Sequence, residues 1–156
     1  MSSSSSNERQ VPAMIILDSI LHPSDFSDNS AQALRYARTL SKLFNAKLHI
    51  VNIAEDNPTA ISMEMGGSEG REVKLVSDGL MARHLERNGI NPEDVVAVSI
   101  EGDPHEEIVS YAKRHKIDMV VMGTHGRRKI TQLFMGSVAE RVVRNSPCPV
   151  LTVPEG

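Results

Sequence analysis

The chain of 156 residues contains no tryptophan, two tyrosines and three phenylalanines. A surface that stacks single-stranded bases needs more rings than this, and the core has to be aliphatic and methionine-based. Cys148 is the only cysteine, so no disulfide can form within the chain. It stands between Pro147 and Pro149 beside a predicted strand, where free cysteine behaves as a small buried hydrophobe rather than a reactive thiol. One cysteine and six histidines without a pair at ligand spacing make no zinc site. No apolar run approaches the roughly 20 residues of a membrane helix. An excess of positive charge is missing too, and the net charge of −3 argues against nucleic acid held by electrostatics. The opening, Met1 followed by Ser2–Ser6, is polar and lacks the charged-then-apolar form of a signal peptide. Residues 1–11 read as a disordered Ser-rich tail, a cytoplasmic location is expected, and residues 12–156 suit a single domain with a full core.

What is present centres on Ile117–Ser137. Ile117-Asp118-Met119-Val120-Val121-Met122 reads as a strand buried on both faces. Gly123-Thr124-His125-Gly126 follows, then nine residues, then Gly136-Ser137 opening a helix over Val138–Ser146 with Val138, Val142 and Val143 on one side. Glycines let backbone approach a ligand closely, and free N–H groups at a helix start point at negative charge. The stretch therefore reads as a phosphate-binding loop. It is neither G-x-x-x-x-G-K-[ST] nor G-x-G-x-x-G.

Along the chain, the first strand is either Met14–Ser24 or only Ser19–Ser24, since Asp18 interrupts the run. A helix capped by Ser27 or Asp28 runs to Asn45 with Ala33, Ala37, Leu40 and Phe44 on its apolar face. Ala46–Ala54 is the second strand. Residues 55–68 form a long connection, either a mobile flap over a site or partly helical. Glu69–Asn88 reads as a helix with Val73, Val76, Leu80 and Leu85 inside, and Glu93–Gly102 as the third strand. Asp103-Pro104-His105-Glu106 starts a helix that buries Ile108, Tyr111 and Ala112, with Asp103 capping and Glu106 placed to complete a capping box. Val150–Val153 is a final strand that the flanking prolines confine to an edge. Alternating strands and helices predict an α/β fold with an open, mostly parallel five-stranded sheet and helices on both faces, Rossmann-like, with ligand sites at the strands' carboxyl ends.

Four segments resemble the universal stress protein family in the same order. They are Ile20-Leu21-His22-Pro23-Ser24-Asp25-Phe26-Ser27, Gly102-Asp103-Pro104-His105-Glu106-Glu107-Ile108, Val121 to Gly126 through Gly136-Ser137, and Ser146 to Val153. The G-x-x-G, nine residues, G-[ST] spacing is similar to that of the family's ATP-binding subgroup. The resemblance implies sheet order 3-2-1-4-5 and a homodimer paired through Val150–Val153, whose apolar edge needs a cover unless the prolines alone protect it. It further implies ATP as ligand, with Mg²⁺ on its phosphates. Asp25 would contact the ribose, with Pro23 and Ser24 in the same floor. Ile53 would present its backbone to the adenine edge, and Met122 would pack on base or sugar. Gly123, Gly126, Gly136 and Ser137, with the Val138 and Ala139 amides, would hold the phosphates, and His125 would touch one. Each has a plainer reading: Asp25 as a helix cap, Ile53 and Met122 as core, His125 as an idle loop residue. Arg127, Arg128 and Lys129 either meet phosphate or a partner or form a solvated face. No residue stands out as a base for water at a γ-phosphate. The resemblance thus implies a nucleotide-dependent signalling or stress-response module with an unknown protein partner. A slow ATP hydrolase and a nucleotide-free, chaperone-like dimeric scaffold are the alternatives.

Overall fold

The computed structural model describes residues 14–55, 69–125 and 135–154. The predicted tail 1–11, nearly all of the connection 55–68, and Gly126, Arg127, Arg128 and Lys129 lie outside the described residues. The elements are β1 (Ser19–Pro23), α1 (Asp28–Phe44), β2 (Lys47–Ala54), α2 (Glu69–Arg87), β3 (Val95–Glu101), α3 (Pro104–Arg114), β4 (Met119–Gly123), α4 (Ser137–Asn145) and β5 (Val150–Val153). A single 3₁₀ turn, Pro92–Asp94, leads into β3. Among the described residues no helix is long and apolar enough to cross a membrane.

The five strands form one sheet, order β3-β2-β1-β4-β5, with every pairing parallel. The shorter reading of the first strand holds: Met14, Ile15 and Ile16 form an exposed lead-in, and only Leu17 turns into the core. Successive strand residues face opposite ways, which divides the core in two. Ile20, Leu48, Ile50 and Val121 pack under α1 and α2 with Ala33, Leu34, Ala37, Met81 and Leu85. Leu21, Val51, Val120 and Met122 pack under α3 and α4 with Ile108, Tyr111, Ala112, Ala139 and Val142.

Helix ends follow local chemistry. The Ser27 side chain accepts from Ser30 N–H, and Asn45 closes α1 in the left-handed conformation at φ 52°. Asp103 caps α3 by accepting from Glu106 N–H. Four inward assignments are corrected. Phe44 is 48% exposed, at the end of the last turn of α1. In α2 the buried stripe is Ser77, Met81, His84 and Leu85, whereas Val76 and Leu80 face solvent. Leu85 is buried as expected, the Val73 side chain lies outside the described residues, and two polar side chains, Ser77 and His84, share the inward stripe with Met81. Val143 is likewise exposed, one step around α4 from buried Val142.

The β1–β4 seam has few ladder rungs. Its register consists of Ile20↔Met119 and Leu21↔Val120, against five pairs between β1 and β2. At its lower end the Asp118 carboxylate accepts from the Asp18 and Ser19 N–H groups, each at 2.9 Å, and from the Ser19 hydroxyl at 3.1 Å.

Candidate functional site

β1 is the first strand at the sheet's centre. The chain leaves it toward one face through α1 and leaves neighbouring β4 toward the other through α4, so their carboxyl ends border a crevice at the switch of strand direction. The β1–α1 turn forms one wall. Pro23 ends the strand, and Ser24 N–H still donates to the Val51 carbonyl (2.8 Å). Asn52 Nδ2 donates to the Ser24 carbonyl (2.9 Å), and the Ser24 hydroxyl accepts from Phe26 N–H (3.2 Å). Asp25 Oδ1 accepts from Ser27 N–H (3.0 Å) and from the Ser27 hydroxyl, so this carboxylate braces the residue that caps α1. Ser27, not Asp25, is the cap itself.

The opposite wall is the β4–α4 connection, and its two ends are pinned together. Gly136 N–H donates to the Thr124 carbonyl at 2.7 Å. A Cβ on Gly136 would sit 3.0 Å from that carbonyl oxygen, and one on Gly123 would sit 3.3 Å from the Asn29 carbonyl oxygen of α1. Backbone approach this close is why glycine occupies both positions. His125 Nδ1 lies 3.0 Å from the Thr124 hydroxyl. The first turn of α4 differs from those of α1 and α3: among the described residues no side chain caps it. Its leading amides, from Ser137, Val138 and Ala139, are therefore the kind of helix N-terminus that takes an anion.

Between the walls, Met122 and Ala139 are buried in one apolar cluster, with Ile53 and Val138 packed at its margin. Pro23, Ser24 and Asp25, Ile53, Met122 and Gly123, and Gly136 to Ala139 thus all lie toward the carboxyl end of the parallel sheet. Gly126 lies outside the described residues.

Several polar residues that the sequence does not single out lie on the α1–α2 face. His22 is fully buried, with Nδ1 3.0 Å from the Val121 carbonyl oxygen. Burial, with a contribution from nearby His84, lowers its pKa to about 4, against smaller opposing effects of the Val121 hydrogen bond and Asp25. His84, buried beneath α2 with its ring 5.1 Å from Phe26, is lowered too, mainly by desolvation and then by Arg87. His22 Nε2, His84 Nε2 and Ser99 Oγ are buried without a hydrogen-bond partner among the described residues. A cleft of about 270 Å³, lined by Ala54, Ser77, Ser99, Ile100 and Glu101, opens at the carboxyl ends of β2 and β3. None of the predicted site residues is in that lining. Asp103, His105 and Glu106 place potential metal-binding atoms within 4.8 Å of one another. However, Asp103 Oδ1 is engaged by Glu106 N–H and by His105, which marks the group as a helix cap.

Comparison with known proteins agrees with this architecture. The model of the universal stress protein family matches residues 17–154. Universal stress protein MJ0531 of Methanocaldococcus jannaschii is 33% identical over 139 residues, spanning 86% of this chain and 80% of that protein. Universal stress protein MJ0577 of the same archaeon is 28% identical over 158 residues, or 89% and 96% of the two chains. Its solved structure superposes with a TM-score of 0.72 at 25% identity, covering 91% and 99%. A universal stress protein solved in complex with cAMP shares the fold at 24% identity and a TM-score of 0.68, covering 89% and 98%.

Proposed function

The chain belongs to the universal stress protein family, and on that premise we propose that it is an ATP-binding module of stress response or signalling that works in the cytoplasm as a homodimer. The observation that carries the reading is an α4 N-terminus that no side chain caps among the described residues, together with closely approached glycines, Gly123 and Gly136, at the two ends of the connection that follows buried β4. Helix-start amides and absent side chains suit a polyphosphate. Asp25, at the opposite wall, suits sugar hydroxyls, because a carboxylate offers acceptors only. The apolar margin of Ile53, Met122 and Val138 suits the base, with the Ile53 backbone at its edge. Gly123, Gly126, Gly136 and Ser137 with the Val138 and Ala139 amides would hold the phosphates, and His125 would reach one of them. Mg²⁺ would be held chiefly by phosphate oxygens.

Dimerisation is supported by β5, the last strand of the sheet order, where Leu151 is 36% exposed. An open apolar edge of this kind is protected by pairing with a second copy.

Denaturing the purified protein and identifying the released small molecules by mass spectrometry tests the nucleotide reading, together with calorimetric titration by Mg-ATP. Stoichiometric ATP, or saturable binding at one site per chain, is expected. Release of ADP with phosphate accumulating would favour a slow hydrolase. No nucleotide and no heat of binding would leave a scaffold.

A further inference from the structure

We propose that His22 is a positioning residue of this site, supplying the β1-to-β4 hydrogen bond that Pro23 cannot make and so fixing the gap between the two strands beneath the ligand hollow. The inference rests on the nucleotide reading above and adds a residue to it. In the parallel register Ile20↔Met119, Leu21↔Val120, one further step sets the N–H of residue 23 against the Val121 carbonyl. Proline has no N–H, and the register ends there. The Val121 carbonyl would be left without its donor in the middle of a buried sheet, a costly state. His22 Nδ1 reaches it at 3.0 Å.

A carbonyl only accepts, so Nδ1 carries the proton and Nε2 is a bare lone pair. That agrees with Nε2 being buried without a partner among the described residues. The ring has no exposure at all, which leaves it one seat. Asp118 holds the lower end of the same seam, and His22 holds the upper end. Just beyond His22 lie Pro23, Ser24 and Asp25, and just beyond Val121 lie Met122 and Gly123. One imidazole therefore ties the two strand ends from which both walls of the hollow spring. His84 of α2 and Asp25 of the β1–α1 turn are the charged or titratable groups that act on it.

The test uses the full chain and three readouts. Nitrogen-15 spectra of the wild type at neutral pH should show His22 as the Nδ1-protonated tautomer; the Nε2-protonated tautomer would overturn the proposal. His22→Leu removes the donor, whereas His22→Asn keeps an amide N–H the same number of bonds from the backbone. With Mg-ATP as titrant, at a temperature where circular dichroism shows both variants folded, His22→Leu should bind about tenfold more weakly, and His22→Asn within about threefold of wild type. Amide exchange at Met122 and Gly123 should accelerate in the leucine variant and not in the asparagine one. Equal affinity in both variants, whether unchanged or equally reduced, would overturn the assignment. A wild type that binds no nucleotide would refute the nucleotide reading itself. In that case the exchange comparison still decides the role of His22, and identical exchange in the two variants refutes it. Should the variants not fold, the tautomer decides.

Discussion

Acidification should cost this protein stability in a window that His22 sets. Its pKa falls from 6.5 in an open chain to about 4 in the folded one, because burial penalises the cation. The unfolded chain therefore binds more protons between these values, and stability is lost as pH drops from about 6.5 toward 4. With one group titrating, the linkage relation gives a loss of about 2 kcal/mol by pH 5 and about 3 kcal/mol by pH 4. The side chain is fully buried, so no solvent screening reduces this. For a chain of this length, 3 kcal/mol corresponds to a fall of about 6 to 12 °C in Tm. Urea titrations at pH 7, 6, 5 and 4 on wild type and His22→Asn measure it, with carboxylates common to both chains cancelling in the comparison. His84 and His49 are also lowered, mainly by desolvation, and they titrate in both proteins. The variant is expected to start less stable at pH 7 and to lose about 3 kcal/mol less on acidification. Parallel pH profiles for the two proteins would refute the reasoning.

Three other outcomes are expected. Gly136→Val places a Cβ 3.0 Å from the Thr124 carbonyl oxygen, which should part the two ends of the β4–α4 connection and lower nucleotide affinity by at least about tenfold; wild-type affinity in calorimetry would show that close approach to be irrelevant. Leu151→Lys puts a charge on the exposed edge of β5 and should give monomers in light scattering, whereas an undiminished dimer would rule out that edge as the interface. Asp103→Ala removes the α3 cap and the contacts to His105 and Arg141. It should cost about 1 kcal/mol in urea unfolding and leave nucleotide affinity unchanged.

Element order and strand order were legible because their signals are local or familial: apolar runs, Ser27 and Asp103 at helix starts, Asn45 at a helix end, and glycine spacing around β4. The candidate site was legible only as a set of positions, with Pro23, Asp25, Met122 and Gly136 falling at or just beyond the carboxyl ends of β1 and β4 or at the start of α4. Other features are tertiary. Apolar periodicity weighs Val76 and Leu80 and overlooks Ser77 and His84, so it takes two exposed residues of α2 for inward ones while placing Leu85 correctly. Asp118 looks like an interruption of an apolar run until its three partners at Asp18 and Ser19 are known. His22 carried a readable signal. Order 3-2-1-4-5 makes β1 central, a proline closing a central strand demands a surrogate donor, and its immediate neighbour is an imidazole.

The sparse seam between β1 and β4 also bears on how the molecule assembles. Its partners are 99 residues apart in the chain, whereas β1 meets β2 across a single helix. Bringing distant segments together is slow, because chain entropy is surrendered before contacts repay it. The β1-α1-β2 unit should accordingly nucleate early, with β4 and β5 joining late in the folding transition. Each newly made chain would thus spend its last unfolded moments with β4 and β5 undocked, before the crevice between β1 and β4 exists.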